Sequence, residues 1–451
     1  MEKNLTTGSV FKNLIFFSLP FFLSYFLQTL YGMADLFIIG RFEDAAATTA
    51  VSVGSQLMHM LTVMIVGLTM GATVGVGRAV GGGDRKAAGR FAGNTVTVFA
   101  GISAVLTVGL FLAVRPIAAL LQTPAQAFEG TVLYLRVCFA GIPFITAYNV
   151  IASLYRGQGD SRSPMIFIAA ACLFNIGLDY LFMGAFHMGP LGAALGTTIS
   201  QGLSVAVALI FMKFGKTGIP VTRDDFRPDR TTVARIFRVG APIALQDGLI
   251  QVAFIFITVI ANRRGLYDSA AVGIVEKIIS FLFLVPSSML SATSALGAQN
   301  IGAGKPARAR QTLGFAVLIA AGFGIFVAVL FQFCAQGAVS LFTDAGKEGG
   351  AEVIRLGGEY LRGYIFDCIF AGIHFSFSGY FCACGRSGLS FLHNVIAVFL
   401  VRVPAVYLAS RAFPDTLFPM GLATATGSLL SVLLCLFFFF LLTGKEKTKA
   451  V

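Results

Sequence analysis

Long apolar runs alternate with short polar or glycine-containing stretches along the whole chain of 451 residues. Each run is close to the ~20 apolar residues that an α-helix needs to cross the hydrocarbon core of a bilayer. Reading the runs by hydropathy predicts twelve spanning helices. Their approximate bounds are 13–40, 51–77, 91–114, 131–155, 164–184, 191–212, 236–262, 270–298, 312–342, 357–383, 389–410 and 420–443. The pattern therefore predicts an all-α integral membrane protein.

Composition supports a membrane protein and argues against a soluble enzyme. Hydrophobic residues make up 56% of the chain and charged residues only 12%, against about a quarter charged in soluble proteins. The seven cysteines lie in or beside apolar runs, so a disulfide framework is not expected. No His or Cys pair has the spacing of metal ligands. We expect a protein that is not an enzyme and that has no cofactor.

The net charge of +12 is distributed unevenly between the loops. About 22 Lys and Arg residues fall in segments on the side of the N-terminus, and about seven fall in the opposite loops. Cytoplasmic loops carry this excess in membrane proteins, so the charge indicates orientation and not a nucleic-acid partner. The expectation is a multi-pass protein of the cell (inner or plasma) membrane, with both termini cytoplasmic.

The two halves of the chain repeat each other at a nearly constant offset in residue number. The matching pairs are Pro20 and Pro242, Gly81 and Gly302, Gly83 and Gly304, and Tyr134-Leu-Arg136 and Tyr360-Leu-Arg362. Since each half has an even number of spans, both insert in the same direction, as in transporters with parallel repeats about an axis along the membrane normal. We therefore expect a six-helix lobe at 1–212, a cytoplasmic linker at 213–235 and a second six-helix lobe at 236–451.

Five polar residues of the first lobe are predicted to lie at one depth in the membrane. They are Asp35 in span 1, Asn175 and Asp179 in span 5, and Thr197 and Thr198 in span 6. A spacing of four places Asn175 and Asp179 on one helix face. Carboxylate, amide and hydroxyl oxygens suit a proton or a hard cation such as Na⁺, although two acids could also simply join helices. Apart from Na⁺ at Asp35 and Asp179, no metal is expected. Pro20 weakens span 1 and predicts a bending point.

The ionisable residues of the second lobe form a different set, and their role stays open. They are Asp247, Glu276, Asp367 and Arg402. Asp247, Asp367 and Arg402 lie deep in their spans, where pairing avoids an isolated buried charge. A structural ion pair and a substrate-binding role are both compatible with this pattern.

Several motifs together resemble the multidrug and toxic compound extrusion (MATE) family. The stretches are Leu30-Tyr-Gly-Met-Ala-Asp-Leu-Phe-Ile-Ile-Gly40, Gly67-Leu-Thr-Met-Gly-Ala-Thr73, Arg156-Gly-Gln-Gly-Asp-Ser161 and Ala295-Leu-Gly-Ala-Gln-Asn-Ile-Gly302. The resemblance extends over both halves in order. It is strongest to the bacterial branch that contains the DinF-like and MepA-like exporters.

The resemblance implies a two-lobed efflux transporter that exchanges H⁺ or Na⁺ for organic, mostly cationic amphipathic compounds by alternating access. In the DinF-like branch the cation site of the first lobe falls on Asp35, Asn175, Asp179 and Thr197 of this chain. In the second lobe, Asp367 lies on the helix that carries an acid in the NorM-like branch, whereas Asp247 is displaced from that branch's helix 7 glutamate. Such a protein would act as a monomer in the lipid bilayer on small-molecule drugs.

Two other transporter types remain as alternatives. A flippase for lipids or lipid-linked oligosaccharides, from the same superfamily, needs several arginines facing the cleft, and Arg402 is the only obvious candidate. A major facilitator also has a parallel six-plus-six repeat, but its loop signature would place glycines where Val80 and Ala87 flank Asp84. Both readings fit the sequence less well than drug export.

Overall fold

The computed structural model describes residues 4–214, 219–346 and 349–449, and within those ranges the chain forms helices and no strand. Lys3, Lys216 and Lys347, which belong to the charge count above, lie outside the described residues. Ten helices of this part are long and apolar enough to cross a membrane, and two bent helix pairs bring the spans to twelve when each pair counts as one. We number the spans α1 Val10–Phe42, α2 Ala45–Gly81, α3 Arg85–Leu112, α4 Ala125–Ala140 with Ile142–Gly157, α5 Arg162–Ala185, α6 Gly189–Phe214, α7 Arg230–Asn262, α8 Leu266–Gly302, α9 Pro306–Ser340, α10 Gly350–Tyr364 with Asp367–Ala383, α11 Ser387–Ala412 and α12 Phe418–Lys449. Each predicted run overlaps one span, so the predicted all-α membrane fold is confirmed.

The two bent spans, α4 and α10, occupy equivalent places in the sequence repeat. α4 bends by 45° at Gly141 and α10 by 41° between Tyr364 and Asp367. In α4 the second segment starts with Pro143 in its first turn, where a missing N–H and a fixed φ favour a new helix start. In α1, by contrast, Pro20 lies inside one continuous helix, so bending at Pro20 stays a prediction.

α5 and α11, which also correspond in the repeat, each contain a π-helical stretch. In α5 it covers Tyr180–Ala185 and begins directly after Asp179. In α11 it covers Ile396–Arg402 and ends at Arg402. π-helical insertions are rare and occur frequently at functional sites. Both stretches are therefore next to a buried ionisable residue.

Two compact units are distinguished by their internal contacts. The first consists mainly of Phe16–Ala244 and Ala298–Gly304, and the second mainly of Leu245–Gly297 and the chain from Lys305 onward. The cores are apolar with a few aromatic side chains. Ile38, Val51, Tyr134, Phe139 and Met183 belong to the largest core of the first unit, and Val275, Tyr360, Tyr364 and Val406 to that of the second.

The segment between α6 and α7 packs on α3 within the first unit. Its short 3₁₀ helix, Arg223–Phe226, lies so near α3 that a Cβ on Gly93 would be 2.4 Å from the Asp225 carbonyl oxygen. Asn94 donates from Nδ2 to the carbonyl oxygens of Asp225 (2.9 Å) and Arg227 (3.2 Å), and its Oδ1 accepts from the backbone N–H of Asp229 at 2.6 Å. One asparagine therefore fastens this segment through three hydrogen bonds.

Candidate functional site

Three helices of the first unit bring four of the five predicted polar residues together. Asp35 of α1, Asn175 of α5 and Asp179 of α5 are 2%, 1% and 0% exposed, and Thr197 of α6 is half-buried. The Thr197 hydroxyl donates to Oδ2 of Asp35 at 3.2 Å, and the side chains of Asp179 and Asn175 lie beside the same carboxylate. The depth match found in the sequence therefore corresponds to one cluster in the structure.

Most polar atoms of this cluster make no hydrogen bond. Oδ1 of Asp35, both carboxylate oxygens of Asp179 and both polar side-chain atoms of Asn175 are buried without a partner among the described residues. Neither acid forms an ion pair with a Lys, Arg or His of the described chain. Buried polar atoms nearly always have a partner. The oxygen atoms of this cluster therefore have lone pairs with which to bind an incoming cation.

A glycine of α6 allows the two helices at this cluster to approach. A Cβ built on Gly196 would lie 2.2 Å from Oδ1 of Asp179, so any other residue would displace the carboxylate. Gly196 directly precedes Thr197, and the sequence analysis did not single it out. Its position next to a predicted site residue was the available signal.

A further polar pair extends the cluster by one turn on two helices. Nε2 of Gln201 lies 3.5 Å from the hydroxyl oxygen of Tyr31. Tyr31 precedes Asp35 by four residues on α1, and Gln201 follows Thr197 by four on α6, so each pair shares a helix face. The sequence analysis missed both residues, although this spacing could have indicated them.

The donor set of the cluster consists of oxygen atoms and one amide nitrogen. Carboxylate, amide and hydroxyl oxygens are ligands for hard cations such as Na⁺, whereas transition metals favour imidazole and thiolate. Across the described ranges, no group of three or more His, Cys, Asp or Glu side chains could hold a metal ion. The oxygen atoms of Asp35, Asp179, Asn175 and Thr197 fit Na⁺ because they are hard ligands. Protonation of either carboxylate fits the same residues equally.

In the second unit, Asp367 of α10 and Arg402 of α11 form a buried ion pair. The side chains are 0% and 7% exposed. Nε of Arg402 also donates to the Thr424 carbonyl oxygen at 3.1 Å, and NH2 lies 3.5 Å from the Ser428 hydroxyl. The guanidinium carbon is 6.0 Å from the centre of the Tyr364 ring. The structure thus gives Arg402 an acidic partner, two α12 partners and an aromatic face.

The other two ionisable residues predicted in the second lobe lie apart from this pair. Asp247 lies near Cys382 and forms no ion pair with a described residue. Oε2 of Glu276 lies 3.5 Å from the Thr258 hydroxyl, and its Oε1 is buried without a partner among the described residues. Of the pairing considered among Asp247, Asp367 and Arg402, the structure contains only the Asp367–Arg402 contact.

Long apolar helices with buried acids among them and an internal sequence repeat are typical of membrane transporters. The MatE family model matches residues 20–181 and 242–408, one stretch in each half. The chain therefore belongs to the MatE family of multidrug efflux transporters, and the resemblance read from its motifs is confirmed.

Relatives and solved structures agree with this assignment. The chain is 27% identical over 408 residues to the probable multidrug resistance protein YpnP of Bacillus subtilis, covering 90% of each chain. It is 25% identical over 410 residues to the multidrug export protein MepA of Staphylococcus aureus, covering 90% of this chain and 88% of MepA. An outward-facing structure of a multidrug resistance MATE family transporter of the MOP superfamily superposes with a TM-score of 0.90 at 21% identity, covering 98% of each chain. This last similarity concerns the fold.

Proposed function

We propose that this chain is a secondary active exporter that exchanges H⁺ or Na⁺ for organic, mostly cationic amphipathic compounds. The observation that carries the proposal is the buried cluster of Asp35, Asp179, Asn175 and Thr197, whose polar atoms are largely without partners. The names of YpnP and MepA, a multidrug resistance protein and a multidrug export protein, support drug export as the overall activity.

Two carboxylates buried side by side cannot both stay charged at low cost unless a cation lies near them. Asp35 and Asp179 therefore favour uptake of either a proton or Na⁺ from the outer side of the membrane. Thr197 and Asn175 supply neutral oxygens that replace hydration water around a metal ion. Since the acids belong to α1 and α5, while Thr197 belongs to α6, uptake changes the contacts between three helices.

Neutralising the cluster supplies the free-energy difference that biases one conformation over another. The inward ion gradient fills the cluster when it is open outward, and drug release accompanies this step. α1, with Pro20 near its inner end, is the helix that we expect to bend or shift. Loss of the ion to the cytoplasm then resets the transporter for the next molecule of drug.

The proposed setting is the cell membrane, with both termini in the cytoplasm and the chain acting as a monomer in the bilayer. Loops that alternate in positive charge support this orientation. A lipid flippase is less well supported. Arg402, the only obvious arginine for an anionic headgroup, is already engaged by Asp367, Thr424 and Ser428.

Ethidium export from drug-sensitive cells and from inverted vesicles tests the proposal. Wild type is compared with Asp35→Asn under imposed Na⁺ and pH gradients applied separately. Asp44→Asn serves as the matched control: Asp44 is an acid nine positions further along and caps α2 by accepting from the Ala47 N–H at 2.7 Å, a role that asparagine fulfils equally well.

Export by wild type and Asp44→Asn, driven by one of the two gradients and lost in Asp35→Asn at equal expression, is the expected result. The gradient that drives export identifies the ion. Normal gradient-driven export by Asp35→Asn would show that coupling does not use this cluster. Absence of any dye movement by wild type would contradict drug export and would call for a lipid-flipping assay.

A further inference from the structure

Asp179 and Arg402 occupy equivalent positions in the two halves of the chain. The interval between them matches, to within a single position, the interval between Pro20 and Pro242 in the sequence repeat. Asp179 directly precedes the π-helical stretch of α5, and Arg402 is the last residue of the π-helical stretch of α11. Each also faces a glycine of the following span. A Cβ built on Gly196 would lie 2.2 Å from Oδ1 of Asp179, and a Cβ built on Gly427 would lie 2.7 Å from the Cβ of Arg402. Closely related positions in the repeat thus carry an acid in one half and a base in the other.

The acids are also distributed differently in the two halves. Asp35 has no acidic counterpart, since positions 256–261, which the offsets of the matching pairs assign to it, read Phe-Ile-Thr-Val-Ile-Ala. Asp367, in turn, corresponds to Gly141 by the same interval that relates Tyr360 to Tyr134, and Gly141 lies at the bend of α4. Around these positions the first half therefore buries the two acids Asp35 and Asp179, whereas the second half buries the acid Asp367 together with the base Arg402.

The hydrogen bonding follows this difference in charge. In the first half, both oxygens of Asp179 are without a partner among the described residues. In the second half, the Arg402 guanidinium bonds to Asp367, to the Thr424 carbonyl and to Ser428. A carboxylate with a guanidinium beside it has no need of an exchangeable cation, because the pair is already neutral.

We propose that Arg402 is a tethered counter-cation. Its guanidinium takes, beside Asp367, the place that an exchangeable cation takes beside Asp179 in the first half. The Asp367–Arg402 pair consequently binds neither H⁺ nor Na⁺. Cation binding beside Asp179 rests on the proposed function. The contact between Arg402 and Asp367 is observed in the second half itself.

Other titratable groups surround the Asp367–Arg402 pair and have to be separated from it in any test. Tyr360, Tyr364, Cys368 and His374 of α10 interact electrostatically with one or both charges of the pair, and Glu276 of α8 interacts with the two tyrosines. Glu276 is the one carboxylate among them, and its Oε1 is buried without a partner in the described part of the chain. A gained cation site must therefore be assigned to Asp367 and not to Glu276.

The test counts cation sites on the purified full chain in detergent. One arm measures binding of radioactive sodium. A second arm, without sodium, measures proton uptake on a step from mildly alkaline to mildly acidic pH. The proteins are wild type, Asp35→Asn, Asp35→Asn/Arg402→Gln and, as the control that keeps the positive charge, Asp35→Asn/Arg402→Lys.

Relative to Asp35→Asn, we expect one additional site in wild type, one in Asp35→Asn/Arg402→Gln and none in Asp35→Asn/Arg402→Lys. Adding Asp367→Asn to the variant with the regained site should abolish it, whereas adding Glu276→Gln should not. A site in Asp35→Asn that Asp367→Asn abolishes would overturn the proposal. A folded Asp35→Asn/Arg402→Gln protein that gains no site would overturn it as well.

Failure of the proposed function can be told apart from failure of this inference. If wild type binds no cation, coupling at the first-half cluster is wrong, but a site gained on removing the Arg402 charge still supports the tethered cation. If Asp35→Asn/Arg402→Gln does not fold, wild type decides: a site that Asp35→Asn removes and Asp367→Asn leaves unchanged supports the proposal, and a site that Asp367→Asn removes contradicts it.

Discussion

Gly81 of α2 and Gly302 of α8 make the same close contact in opposite directions. A Cβ on Gly81 would lie 2.0 Å from the Gln299 carbonyl oxygen, and a Cβ on Gly302 would lie 2.0 Å from the Arg78 carbonyl oxygen. Arg78 and Gln299 are separated in the sequence by the same interval as the two glycines. The contact is thus reciprocal under the sequence repeat, and small residues let the helix backbones approach this closely.

Gly81→Ala and Gly302→Ala should each destabilise this crossing by similar amounts. A single added methyl group overlaps a backbone oxygen that cannot rotate away, and overpacking of this kind costs about 1–3 kcal/mol. Thermal unfolding in detergent, followed with a thiol-reactive dye, measures the loss, because Cys138, Cys172, Cys368, Cys382 and Cys435 are buried and become reactive on unfolding.

Gly101→Ala on α3 is the control, since a Cβ there meets nothing within 4 Å. Alanine has the higher helix propensity, so this variant should melt at or slightly above the wild-type temperature. Equal melting of all three variants would contradict the reciprocal crossing.

Gly196→Ala should weaken cation binding while leaving the helices folded. The new methyl group would overlap Oδ1 of Asp179 and push the carboxylate away from Asp35. We expect affinity for the coupling ion to fall about tenfold or more, which corresponds to ~1.4 kcal/mol. Gly202→Ala is the matched control on α6, because its Cβ would make an ordinary 3.8 Å contact with the Phe144 ring. Unchanged sodium or proton binding in Gly196→Ala would exclude Asp179 from the site.

Arg402→Ala should destabilise the protein strongly. Removing one partner of a buried ion pair leaves an uncompensated charge, at a cost of about 3–5 kcal/mol. Replacing both partners, as Asp367→Asn/Arg402→Gln, removes both charges and should recover much of that loss. The same thiol-reactive melting assay measures both variants.

Arg115→Ala provides the exposed comparison for the buried pair. Arg115 and Glu129 form a 2.9 Å ion pair whose side chains are 55% and 69% exposed, and such pairs contribute about 0–1 kcal/mol. A loss in Arg402→Ala no larger than in Arg115→Ala would show that the buried pair is not a stabilising contact.

The segment that docks on α3 should loosen in acid through Asp225. The backbone N–H and the hydroxyl of Thr222 both lie 2.7 Å from Oδ2 of Asp225, and these hydrogen bonds lower the pKa of the carboxyl group. The stabilisation is therefore complete above the unfolded carboxyl pKa, which is about 3.9, and disappears as pH falls through the lower folded value.

At neutral pH, Asp225→Ala should remove this stabilisation and expose the segment to trypsin. Cleavage after Arg223 or Arg227 should be several-fold faster than in wild type. Asp224→Ala is the neighbouring control, because Asp224 makes only an exposed 3.5 Å ion pair with Arg227. Equal cleavage rates in the two variants would argue against stabilisation of the segment by the hydrogen bonds between Thr222 and Asp225.

The sequence by itself determined the membrane class, the spans and the common depth of Asp35, Asn175, Asp179 and the two threonines Thr197 and Thr198. Hydropathy, helical spacing and depth are local properties, and a helix of known rise converts position in the chain into depth in the bilayer. Polar side chains at one depth in the bilayer can meet when their helices pack side by side, and the structure packs α1, α5 and α6 in this way.

Tertiary structure alone decided which partner each remaining charge takes. Arg402 could have paired with Asp247 or with Asp367, and depth did not distinguish the two acids. The bend of α10 and the π-helical stretch of α11 place Asp367 against Arg402, while Asp247 lies near Cys382. The approach of α6 to Asp179 through Gly196 depends likewise on how two helices pack. Helix spacing along the chain carries no information on the rotation and separation of helices that meet from distant parts of the sequence, and those two quantities select the contacts.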